Sequence, residues 1–238
     1  MTASLTESQL TPDYNRAAIT TGIVHIGVGG FHRSHQAAYI DGLMRRHSRP
    51  DTPEGNGSGA PEDNCLDWGI CGVGLLPGDA RMRDALAGQN HLYTLILKHP
   101  GGRHEPTIIG SLHNYLFAPD DPETVLSLMS APTTRIVSLT ITENGYNVDD
   151  VTGKFRTKAP GAVHDAEHPE EPTTAFGYIV EALRRRREAG IVPFTVLSCD
   201  NLPNNGKVAR TAVVSQAAMS DPELADWIDG NVAFPSCM

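Results

Sequence analysis

A chain of 238 residues, 39% hydrophobic and 20% charged, has the apolar content of a folded globular protein and is not a disordered one. Nineteen Lys and Arg against 28 Asp and Glu leave a net charge of −9, which argues against nucleic-acid or anionic-membrane partners while leaving room for a local phosphate site. No run approaches the roughly 18 apolar residues of a membrane span. Residues 1–20 have neither a basic n-region nor an apolar h-region, so they read as a short extension of a cytoplasmic protein.

Gly22–Val28 is an apolar, β-branched run that ends in glycines and predicts a strand. Ser34–Arg46 places Ala37, Ile40, Leu43 and Met44 on one helical face. Residues 50–64 are rich in Pro and Gly with nothing apolar to bury, and predict a flexible insertion. Trp68–Leu75 is the second apolar run, followed by a helical pattern over Ala80–Leu86. Leu92–Lys98 and Thr107–Leu112 predict strands around the turn His99–Arg103. Asp121-Pro122-Glu123 joins a capping side chain, a first-turn proline and an acid, and starts a helix that reaches about Met129. Arg135–Ile141 reads as a buried strand, and residues 147–173 as a polar loop. Phe176, Ile179, Val180 and Leu183 set the period of a helix over Thr174–Ala189, stopped by Gly190. Its Arg184–Arg187 run reads first as a solvated helix end and second as a phosphate patch. Pro193–Ser198 is a further strand, and Gly206–Met219 and Asp221–Asp229 are closing helices.

Strands alternating with helices predict an α/β fold, a doubly wound and mostly parallel sheet over residues 21–238. Ligands of such sheets sit at the carboxyl ends of the strands. Gly27-Val28-Gly29-Gly30-Phe31-His32 follows the first strand, where a glycine turn lets a pyrophosphate approach the backbone. The third glycine of G-x-G-x-x-G is replaced by His32. Asp79 follows the second strand, where an acid accepts hydrogen bonds from an adenosine ribose, although it lies far beyond the usual spacing of about 20 residues. It also fits as a cap for the helix that follows, and Arg81 and Arg83 keep NADP open beside NAD. Two later strand ends, Thr142–Tyr146 and Cys199–Gly206, are dense in Asn and Asp. Such residues often serve only turns, yet neutral amides also suit a site that polarises a carbonyl.

Other chemistries find no support. None of the six tyrosines has a lysine four residues on, so no Tyr-x-x-x-Lys pair exists. The pairs His32/His35 and His164/His168 lack partners for a metal set, and Cys65, Cys71, Cys199 and Cys237 match neither a redox pair nor a zinc ribbon. Of the four lysines only Lys207 is near a predicted strand end.

The segments VHIGVGGFHRSHQAAY (Val24–Tyr39), WGICGVGLLPGD (Trp68–Asp79), SLTITENGY (Ser138–Tyr146), SCDNLPNNG (Ser198–Gly206) and VAFPSCM (Val232–Met238) resemble the mannitol dehydrogenase family of polyol-specific long-chain dehydrogenases. The likeness is strongest to its mannitol 2-dehydrogenase members. His32 in place of the third glycine is itself that family's G-x-G-x-F-H-R pattern. The resemblance implies a Rossmann-type fold and a metal-independent, NAD(P)-linked interconversion of D-mannitol and D-fructose. It implies that Ile26, Gly27, Val28, Gly29, Gly30 and Phe31 contact the coenzyme, Asp79 the adenosine ribose, and that Glu143 joins this set near the active-site channel. Asn201 is the candidate catalytic residue, helping to form an oxyanion hole. Family members are about twice as long, with their catalytic lysine in a helical C-terminal domain. The match ends at Met238, before the family's Val-Asp-Arg. The chain is therefore expected to need that domain as a partner and to be inactive alone, as a truncated or split form. The alternatives are a fructuronate or tagaturonate reductase domain and a non-catalytic coenzyme-binding fragment.

Overall fold

The computed structural model describes residues 11–47, 65–149 and 151–237. The strands among them are β1 (Thr21–Ile26), β2 (Gly69–Gly74), β3 (Tyr93–Lys98), β4 (His104–Ile109), β5 (Leu112–Phe117), β6 (Ile136–Leu139) and β7 (Thr195–Ser198). Five of them form one sheet in the order β5-β2-β1-β6-β7, with every pairing parallel. The helices are α1 (Gly30–Ser34), α2 (Gln36–His47), α3 (Ala80–Ala87), α4 (Pro122–Ser130), α5 (Pro160–Glu167), α6 (Ala175–Glu188), α7 (Asn205–Ala218) and α8 (Pro222–Asn231). The predicted insertion at 50–64 lies outside the described residues.

Parallel strands covered on both faces are buried throughout, and every residue of β1 and β2 is. Alternation along β1 sends Val24 and Ile26 into one core with Phe176, Ile179 and Val213 of α6 and α7. Ile23 points the other way, into a second core with Ala37 of α2 and Leu86 of α3. Asp121 caps α4 through a 2.9 Å bond from the Thr124 N–H, as expected, and Gly190 ends α6 at φ +67°.

Four expectations are corrected. The helix over Ser34–Arg46 is two helices, broken at His35 (φ −119°, ψ −87°). Thr107–Leu112 is not one strand: β4 ends at Ile109 in an antiparallel hairpin with β3, and β5 begins at Leu112 in the main sheet. The corner between them is gripped by α2, where buried Asp41 accepts the Gly110 N–H at 2.8 Å and the Ala37 carbonyl accepts the Ser111 hydroxyl at 2.6 Å. Arg184–Arg187 is a solvated end only at Arg187, and its other three arginines are engaged by the protein itself. Arg184 and Arg185 both pair with buried Glu181 at 2.7 Å, and Arg185 reaches Glu123. Arg186 is buried, donating to the Thr134 carbonyl at 2.8 Å.

The polar segment 147–173 contains α5, which no apolar stripe announced. It is held by one side chain. Fully buried Asp165 accepts from the backbone N–H and the hydroxyl of both Thr173 and Thr174, at 2.5–3.0 Å. Thr174 in turn caps α6. Asp165→Ala strands these donors and is expected to cost about 3 kcal/mol of unfolding free energy. Urea denaturation measures it, and a loss below about 1 kcal/mol would show that the hub is dispensable.

Cys71, Cys199 and Cys237 form no disulfide among the described residues, no described helix is long and apolar enough to cross a membrane, and the described His, Cys, Asp and Glu form no group able to hold a metal ion.

Candidate functional site at the switch point of the sheet

From β1 the chain steps outward to β2 and β5, and from β6 it steps the other way to β7. The loops after the neighbouring strands β1 and β6 therefore diverge and leave a crevice at their carboxyl ends. Two cavities occupy it. One, of about 400 Å³, lies among Ile26, Gly27, Leu75, Leu76 and Asp79. The other, of about 660 Å³, lies among Gly29, Gly30, Phe31, Glu143 and Asn201. Thr140 and Thr142 line both.

The glycine turn has two kinds of glycine. Gly27 has φ +92°, and a Cβ there would run into the Thr140 carbonyl, so the fold itself demands glycine. A Cβ on Gly30 would meet nothing within 4 Å, and one on Gly29 only the Gly27 carbonyl at 4.0 Å. Protein packing does not explain these two; they keep open the floor of the second cavity. The N–H groups of Gly30 and Phe31, at the start of α1, donate to no backbone acceptor among the described residues.

Polar side chains brace the turn from below. His25 of β1 lies with Nδ1 2.8 Å from Ser138 Oγ, and with Nε2 2.9 Å from Thr140 Oγ1 and 3.2 Å from the Gly27 carbonyl. The Thr140 hydroxyl also donates to that carbonyl. His32 stacks on His25 with ring centroids 3.5 Å apart. It is 1% exposed, its ring nitrogens complete no hydrogen bond of good geometry among the described residues, and the Gln36 side chain is near enough to act on its pKa. Burial pulls the His32 pKa down to about 4 and holds His25 well below the usual histidine range, so both rings are neutral at pH 7.

Asp79 closes its own turn: its Oδ2 accepts the Leu76 N–H at 2.9 Å, and it makes no side-chain cap to α3. Asp79 also lines the first cavity. Arg83 is engaged by Asp84 and Asp120 at 2.8 and 2.5 Å. On the far wall Glu143 and Asn201 are exposed. Burial pushes the neighbouring Cys199 thiol up to about 12, so it stays protonated. No lysine lines either cavity; Lys207 is exposed on the first turn of α7.

A family model described as the mannitol dehydrogenase Rossmann domain matches residues 21–238. The chain belongs to the mannitol dehydrogenase family. A mannitol 2-dehydrogenase of Cereibacter sphaeroides is 49% identical over 234 residues, covering 98% of this chain and 45% of its own length. One of Pyricularia oryzae is 45% identical, covering 95% of this chain and 42% of its own. The solved Pseudomonas fluorescens mannitol 2-dehydrogenase, a ternary complex with NAD and D-mannitol, matches with TM-score 0.85 and 46% identity over 96% of this chain and 44% of that one. Substrate-free D-sorbitol dehydrogenase matches with TM-score 0.85 and 42% identity. The chain thus spans a little under half the length of these relatives and corresponds to their Rossmann domain.

In this mannitol dehydrogenase domain the expected site residues converge on the crevice, with one exception. The Val28 side chain is buried in the core with Ile23 and Ala37 and faces neither cavity. Phe31 is 57% exposed and stacks on His35 at 4.2 Å. Sequence reasoning passed over Thr140 and the Thr173–Ala175 stretch, which also line the crevice. Thr140 sits one residue past β6, a strand-end position that carried the signal; Thr173 lies inside the segment read as loop.

Proposed function

We propose that this chain is the coenzyme-binding domain of a polyol 2-dehydrogenase, holding a nicotinamide dinucleotide across the crevice with D-mannitol or D-fructose beside Asn201. The observation that carries the reading is the space kept over Gly29 and Gly30, which the protein's own packing leaves empty of side chains. The N–H groups of Gly30 and Phe31, which donate to no backbone acceptor among the described residues, suit a pyrophosphate there. A nicotinamide held there would supply reversible hydride transfer with the carbinol carbon. The Asn201 amide donates a hydrogen bond to the reacting oxygen, favouring the charge that develops on it.

The test fills the kept space. Gly30 is not at positive φ and a Cβ there touches nothing, so Gly30→Val is expected to fold with an unchanged melting temperature. It should weaken NADH binding, followed by fluorescence titration, by more than about tenfold. Equal affinity in variant and wild type would remove the dinucleotide from this turn.

Asp79 is the residue proposed to choose the coenzyme. A carboxylate accepts from both ribose hydroxyls and repels a 2′-phosphate, and Arg83 is already engaged by Asp84 and Asp120. The reading is therefore NAD over NADP. Asp79→Ala should weaken NADH more than NADPH, whereas equal losses would reduce Asp79 to a turn-closing residue.

A further inference from the structure

Thr142 lines both cavities and has φ +64° and ψ 164°. That region belongs almost wholly to glycine and is costly for a β-branched residue. Such strain lasts only where the surroundings over-determine it. Here they do so through one buried carboxylate. Asp200 Oδ2 accepts the Ile141 N–H and Oδ1 the Thr142 N–H, both at 3.0 Å. The Tyr146 hydroxyl donates to the same Oδ2 at 2.7 Å and lies 2.5 Å from Ser198 Oγ. From behind, the Asn205 side-chain amide donates to the Asp200 carbonyl at 3.1 Å. No Lys or Arg pairs with Asp200, so among the described residues its charge is met by these donors alone.

Asp200 precedes Asn201 on the loop after β7, and Thr142 precedes Glu143 on the loop after β6. The bond pair therefore ties the two loops of the far wall together. Three donors, two of them backbone N–H groups, hold the carboxylate in place, which fits a structural clamp. We propose that Asp200 is a positioning residue: it holds the Ile141–Thr142 peptide in its strained form and so sets the wall that Thr142 and Glu143 present to the coenzyme, in register with Asn201. The proposal rests on the reading that the crevice binds a nicotinamide dinucleotide.

The test uses the whole 238-residue chain with NADH as probe. Asp200→Asn keeps the size but turns an amide NH₂ toward a backbone N–H, and should weaken NADH binding about tenfold or more. Glycine takes the Thr142 conformation without help. In a Thr142→Gly background the loss on Asp200→Asn should therefore shrink to under about threefold. A purely structural carboxylate would cost the same in both backgrounds, and that result, or wild-type affinity in Asp200→Asn, overturns the proposal. Two further measurements need no coenzyme. The Ile141 and Thr142 amides should be protected from hydrogen exchange in the wild type and lose that protection in Asp200→Asn. Thr142→Gly should leave the melting temperature unchanged or higher, because strain is released; a fall of several degrees shows that Thr142 was not strained and ends the proposal. Failure of the folded wild type to bind NADH sinks the coenzyme reading, and the clamp is then decided by exchange and melting. Failure of Asp200→Asn to fold leaves the decision to Thr142→Gly.

Discussion

The 238-residue chain, purified and folded, is expected to bind NADH and yet to form none from NAD and D-mannitol. Hydride leaves a carbinol carbon readily only when the hydroxyl proton passes to a base in reach. The groups around Asn201 do not provide a ready one. The Cys199 thiol is pushed up to about 12, and both Asp200 oxygens hold backbone N–H groups. His25 and His32 lie beneath the glycine turn and line neither cavity. No lysine does either. The family resemblance places the base in the half of the relatives that these residues do not match. Joining this chain to the second half of the Cereibacter sphaeroides relative should therefore produce turnover. In that chimaera Asn201→Ala should lower kcat by about 10²–10³-fold, the usual cost of one oxyanion donor. A second half that also walls the site would make the loss in the isolated domain fall on the chemical step and not on KM alone. Mannitol-dependent NADH formation by this chain alone would overturn the reading. Glu143, the exposed carboxylate on the second cavity, would then be the base to remove, as Glu143→Gln. NADH binding without turnover even in the chimaera would favour a non-catalytic coenzyme-binding fragment.

The parts of this fold that were legible in the sequence are those set by local chemistry. A strand buried on both faces has to be a continuous apolar run, and a turn at φ +92° has to be glycine, so β1 and Gly27 announce themselves. Asp121 and Pro122 mark the start of α4 for the same reason. The misses have long-range causes. Ile109 and Leu112 are both buried, so the apolar pattern ran through a corner made by Asp41, 69 residues from Gly110. α5 is held by the polar hub of Asp165, which leaves no stripe to read. Arg186 is buried because the Met129 and Thr134 carbonyls and the Phe194 ring await it, and no neighbour in sequence says so. The site shows the same division. Strand-end position pointed to Gly29, Asp79 and Asn201, whereas the strain at Thr142 and the stack of His32 on His25 exist only once the sheet is assembled.

Acid should weaken this domain well above the pH at which its carboxylates titrate. His32 and His113 are both pulled by burial from the ordinary 6.5 down to about 4, and burial and the neighbouring His32 ring hold His25 low as well. Folded-state values below the unfolded ones mean that the unfolded chain binds more protons throughout the interval between them. Stability is then complete above pH 6.5 and drains away as pH falls toward 4. A histidine with these two values loses about 2 kcal/mol by pH 5, so His32 and His113 together remove about 4 kcal/mol and lower the melting temperature by roughly 10 °C. The carboxylates with lowered values, Asp121, Glu123, Asp149 and Asp229, are surface groups whose contribution fades only at lower pH. Calorimetric melts at pH 7.5 and pH 5 measure the drop. His32→Phe keeps an aromatic ring against His25 and removes one titrating group, so its melting temperature should fall less between the two pH values than that of the wild type. Equal slopes would mean that His32 gains its proton without unfolding, through local opening of α1. Since His32 lies directly beneath the glycine turn, NADH affinity would in that case fail with a midpoint well above pH 4 while the rest of the domain stayed folded.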